Sequence, residues 1–212
     1  MDTSRLSRRN ILKSAGVVAA LGVVGGAGAG RANAESDDDE TAVRWDLISV
    51  NFGTGTASAG GVASARANDN SRIKLTGSGT FVPGHRHKVT GGGTFTTFAP
   101  ATPPAVGAGT GSGTYTVKEL VDWHEAPGTF PLPHDAIGNR ADARAGLAVL
   151  RVRYSNGRDG ILVVSCDLVG TPDSVFEGIT ASTGFVDYWN REAPTGENRT
   201  LFHVVPEHDE DD

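Results

Sequence analysis

From residue 43 onward, apolar residues recur at every second position in short runs, punctuated by glycine, proline and asparagine. Alternation with a period of two puts one face of an extended strand into a core. Nine strands are predicted, near residues 43–52, 58–67, 72–82, 88–98, 112–124, 146–154, 160–169, 176–188 and 199–205. No segment after residue 34 carries an apolar stripe of helical period, so the expected class is all-β. An antiparallel meander closing into a β-barrel of about eight strands is expected, because closure removes exposed edges. A β-sandwich is the alternative.

Two hairpins can be given a register. Around Ser155–Asp159, Ala148, Leu150 and Val152 are set opposite Cys166, Val164 and Leu162. That face is wholly apolar, and Arg151, Arg153, Ser165 and Asp167 gather on the other. A slip by one residue would expose the apolar set. Around Asp69-Asn70-Ser71, Ala67, Ala65 and Ala63 are set opposite Ile73, Leu75 and Gly77.

A short repeat recurs as Gly77-Ser78-Gly79-Thr80-Phe81, Gly91-Gly92-Gly93-Thr94-Phe95 and Gly111-Ser112-Gly113-Thr114-Tyr115. In a strand, the two outer glycines and the ring share the inward side. Glycine inside a strand needs a reason. Sharp curvature of the sheet is one, and room for a bulky neighbour or ligand is another. Phe81, Phe95, Tyr115 and Trp123 are therefore the candidate ligand-binding residues.

The first 34 residues read differently. Ser7-Arg8-Arg9-Asn10-Ile11-Leu12-Lys13 resembles the twin-arginine export consensus, with Arg8 and Arg9 as the pair. An uncharged Ala/Val/Gly stretch follows, then Ala32-Asn33-Ala34, with cleavage expected after Ala34. The stretch is too glycine-rich for a good membrane span. The expected partners are the twin-arginine translocase and signal peptidase, and the expected location is secreted or cell envelope, with no stable membrane span after cleavage. The organisation expected is a signal peptide at 1–34, a disordered acidic segment at 35–41, a barrel domain at 42–205 and an acidic tail at 206–212.

Charge narrows the partners. Loss of residues 1–34 removes five of the 19 basic and one of the 25 acidic residues, leaving 14 against 24 and a net charge of −10. Nucleic acid is repelled by such a chain. The acidic balance and the scarcity of lysine resemble proteins of salt-loving prokaryotes. The single cysteine, Cys166, excludes an internal disulfide and reads as a buried structural thiol. No cofactor and no metal are implied. His85 and His87 read as a surface turn, His124 beside Asp122 and Glu125 points outward, and His134-Asp135 lies in a solvated proline-rich loop. Asn198-Arg199-Thr200 is a glycosylation sequon in an exposed turn.

Two carboxylates are the candidate acid–base groups. Glu119 shares its parity with Tyr115, Val117, Val121 and Trp123, unless a bulge turns it outward. Glu177 follows Phe176 in a similar setting. An inward carboxylate must be paired or carry a raised pKa. Ser174-Val175-Phe176-Glu177-Gly178-Ile179, then Gly184-Phe185-Val186 and the strand Thr200–Val204, resemble the end of allene oxide cyclase and dirigent-type barrels. The usual Gly-Gly-Thr-Gly is replaced here by Val169-Gly170-Thr171-Pro172-Asp173. The resemblance implies an eight-stranded barrel around an apolar cavity. Three functions are expected in turn: binding of a small apolar or amphipathic ligand without catalysis, a cofactor-free cyclase or isomerase using Glu119 or Glu177, and a structural interaction module of the cell envelope.

Overall fold

The computed structural model describes residues 41–205. The predicted export signal, nearly all of the acidic segment and the acidic tail lie outside the described residues. The described chain is all-β, with one 3-10 turn at Arg140–Asp142. Its strands are β1 (Ala42–Asn51), β2 (Thr56–Ala59), β3 (Ala63–Arg66), β4 (Arg72–Leu75), β5 (Ser78–Val82), β6 (His85–Val89), β7 (Gly92–Phe98) and β8 (Gly109–Ala126). The rest are β9 (His134–Asp135), β10 (Ala143–Tyr154), β11 (Asp159–Cys166), β12 (Gly178–Thr183), β13 (Val186–Tyr188), β14 (Asn190–Arg191) and β15 (Arg199–Val205).

Six of these close an antiparallel barrel. Following hydrogen-bonded neighbours, the ring runs β1, β5, β7, β8, β10, β15 and back to β1. This order is also chain order, so the barrel is a meander with outer strands inserted. Six strands close where about eight were expected, because several predicted strands bend and leave the ring. The 72–82 prediction splits into β4 and β5 at Thr76-Gly77, and 58–67 splits at Gly60-Gly61. β3, β4, β11 and β12 then form an outer lobe, with β3 packed on β12.

Both hairpin registers differ from expectation by two residues, with the faces preserved. Ala148 pairs with Val164 and Leu150 with Leu162, while Ala65 pairs with Ile73 and Ala63 with Leu75. Each loop has three residues, and its third is left-handed: Gly157 at φ 84° and Asn70 at φ 64°. In each, the amide of that residue donates to the carbonyl three back, and the flanking pair is closed by Tyr154 N–H to Arg158 O and Ala67 N–H to Ser71 O. This is the bulged three-residue turn, centred one residue earlier than the sequence suggested.

The barrel interior is filled by rings. Phe81 lies 5.2 Å from Trp123, and Trp123 lies 4.7 Å from Phe202. Further along, Phe95 packs 5.0 Å from Tyr154, and Tyr115 lies 6.1 Å from Tyr154. The glycines between them admit backbone rather than ligand. β5 and β7 share only the ladder pair Ser78–Gly92. At that seam a Cβ on Gly79 would stand 2.3 Å from Thr90 O, and one on Gly91 would stand 2.2 Å from Ser78 O. Close approach of two backbones is what these residues permit.

Candidate functional site

The outer face of β1 and β15 is covered by the proline-rich loop that follows β8. Phe130 and Leu132 flank Pro131 and face Ile48, Val50, Leu168 and Leu201 across a cleft of about 250 Å³. Phe130 is buried and Leu132 packs on the core, whereas Phe52 stands largely exposed at the cleft wall with Arg199 over its ring. Asp167, Glu177, Arg199 and Thr200 complete the lining.

Glu177 is the chemical centre of this cleft. It sits just before β12 and is 7% exposed. One carboxylate oxygen accepts the Thr200 N–H at 2.6 Å, and the other accepts the Asp167 N–H at 2.8 Å. These donors stand where β15 begins and β11 has just ended, so one side chain fastens two strand ends. Burial pushes the carboxyl up to about 7, against the lowering effect of those two N–H groups and of Arg199. A carboxyl in this range can hold or release a proton near neutrality.

Glu119 has a different environment. β8 carries two bulges, which leave Lys118 and Val121 without partners on β10. They turn Glu119 to the face of Arg151 and bring Leu120 inward in place of Val121, which is 48% exposed. Glu119 pairs with Arg86 and, at 3.2 Å, with Arg151. The Arg86 hydrogen bond, foremost, holds its carboxyl below the usual carboxylate range. Glu119 and Trp123 line a second, polar cleft of about 380 Å³ beside Arg86.

The other sequence candidates separate. Phe81 and Tyr115 are core residues, and the Tyr115 hydroxyl donates to Thr76 O at 2.9 Å. Phe95 is core as well, with one edge on a third cleft. His85 and His87 lie on the exposed strand β6, and His124 bonds Asp122 at 3.0 Å on the surface. No three His, Cys, Asp or Glu side chains gather to hold a metal among the described residues. Cys166 is fully buried, its thiol donates to Thr200 O at 3.3 Å, and burial raises its pKa well above the usual thiol range. Arg153 pairs with Asp159, while Ser165 is buried rather than on a surface network.

Two readings of the loops are corrected. Asp135 is not solvated: its side chain is 1% exposed and accepts from His203 Nε2 at 2.7 Å, while its other oxygen takes the Ile137 N–H. This buried pair clamps the proline-rich loop onto β15. Asn198 is likewise buried at 9% exposure, with φ 57°. Its amide oxygen accepts the Ser64 N–H and its amide nitrogen donates to Ala193 O, so both ends are engaged and the sequon is not presented.

Sequence reading missed the walls of the Glu177 cleft. The available signal was Phe130 and Leu132, two large apolar residues alternating about a proline in a stretch read as solvated. Comparison with protein-family models, with curated proteins and with solved structures finds no match to this chain.

Proposed function

We propose that this chain is an exported β-barrel protein that holds a small amphipathic molecule in the cleft over Glu177. One observation carries the reading: a nearly buried carboxyl lies in an apolar-walled cleft of about 250 Å³. Apolar pockets with a few convergent polar groups are the common form of a small-molecule site. The walls suit an alkyl or ring body. Glu177 and Asp167 outnumber Arg199, so the head is one that donates hydrogen bonds, with an amine favoured over an anion.

Calorimetric titration with octylamine, octanol and octanoate tests this. At pH 8 the amine should bind best and octanoate worst. At pH 6, where Glu177 gains its proton, the advantage of the amine should shrink. A preference for octanoate, or binding of none of the three, would remove the proposal.

A second reading follows from the same carboxyl. With a pKa of about 7, Glu177 is poised as the acid or base of a cofactor-free isomerase or cyclase. Glu119 is paired with two guanidinium groups and does not share that role. The resemblance at Phe176-Glu177-Gly178 supports this reading.

Export rests on the twin-arginine resemblance at Arg8 and Arg9. Changing both to lysine should leave the chain inside the cell, at its full length. Normal secretion of that variant, trimmed after Ala34, would count against the twin-arginine route.

A further inference from the structure

The six outer glycines of the three repeats are not equivalent. A Cβ on Gly77, Gly79, Gly91, Gly93 or Gly113 would come within 2.3 Å of another atom. On Gly111 it would meet only Thr97 Oγ1, at 3.3 Å. Gly111 lines a cleft of about 540 Å³ between the β7–β8 hairpin and the β12–β13 hairpin.

This cleft begins where the inward faces of β7 and β12 turn from apolar to hydroxylated. On β12 the inward series is Ile179, Ala181 and then Thr183, and on β7 Phe95 is followed by Thr97. Ser71, Thr110, Ser112 and Asn156 add further hydroxyl and amide groups, while Phe98, Val186 and Tyr188 add apolar surface. Arg158 is the one charged side chain in the lining. Thr183 is 2% exposed, and its hydroxyl has no hydrogen-bond partner. A buried hydroxyl left unpaired costs free energy that a ligand hydroxyl at the same place would restore.

We propose that this cleft binds a saccharide. The required ligand carries many neutral donors and acceptors together with apolar C–H faces, and that combination is the chemistry of a sugar ring. An aliphatic ligand would leave the Thr183 hydroxyl unpaired. An anion would find a single exposed guanidinium. The cleft shares no lining residue with the Glu177 site, and the two proposals stand separately.

The test is amide NMR of the folded chain titrated with maltose, cellobiose and chitobiose at millimolar concentration. At least one sugar should shift the amides of Gly111, Ser112, Thr183 and Val186 saturably. Thr183→Val keeps the shape and removes the orphan hydroxyl, so its melting temperature should be unchanged or higher while the sugar binds about tenfold more weakly. Gly111→Leu should obstruct the cleft beside Thr97 and abolish the shifts. The proposal is overturned if no sugar moves these amides, if Thr183→Val binds as well as the parent, or if octylamine moves them as strongly as the sugars.

Discussion

The Gly93→Ala chain is expected to lose its closed barrel. A Cβ at Gly93 would stand 1.9 Å from Thr76 O and 2.7 Å from the Cα of Gly77. Both obstacles are backbone, so no rotamer change relieves the clash. The obstructed place is the seam where β5 and β7 share one ladder pair, Ser78–Gly92. Relief requires the two strands to separate, and with them the ring. The expected cost is about 3 kcal/mol or more, at the upper end for an overfilled interior site. Gly111→Ala provides the control, since its new methyl meets only one side-chain oxygen. Urea unfolding of the two variants should place Gly93→Ala far below the parent and Gly111→Ala beside it. Equal midpoints would show that the seam does not depend on close backbone approach.

Acid should stabilise the region around Glu177, against the usual behaviour of carboxylates. Its folded pKa is raised from 4.5 to about 7. Between those values the folded chain keeps a proton that the unfolded chain has released. The unfolded state then binds fewer protons, so stability falls as pH rises through this window. The penalty is absent below about 4.5 and complete above about 7, and amounts to about 3 kcal/mol. Glu119 works in the opposite sense, because its carboxyl is lowered by Arg86 and its contribution is lost on acidification. The Glu177→Gln variant separates the two, since it lacks only the first. Measured from pH 8 down to pH 5, the parent should gain about 2.5 kcal/mol relative to that variant. A difference independent of pH would show that Glu177 is ionised throughout.

The all-β class was legible because alternation survives translation into strands with little loss. The apolar face of β10 and β11 was readable for the same reason, and parity stayed right where register did not. The two-residue shift came from the left-handed residues Asn70 and Gly157, whose turn geometry composition does not reveal. A bulge near Glu119 was anticipated as the alternative to an inward carboxylate, but its positions were not readable, and the two at Lys118 and Val121 decide on which side Glu119 stands. Repeated glycines signalled an unusual sheet, yet five of the six outer ones serve close packing and one opens to a cleft. Glu177 stood out in the sequence as an acid among apolar neighbours. Its cleft did not, because the walls come from residues 48–52, 130–132, 167–168 and 199–201. Only the fold brings such distant segments together.

The ring is completed by β15 pairing with β1, from Ala42–Val205 to Ile48–Arg199. Those partners are the first and the last strands of the described residues. Until the last strand is made, β1 can pair with β2 and β5 but offers a bare ladder on the side meant for β15. Closure therefore rests on the contacts of largest sequence separation, which carry the greatest loop entropy. A chain lacking β15 would present a sticky edge, and only the pairing of β15 retires it.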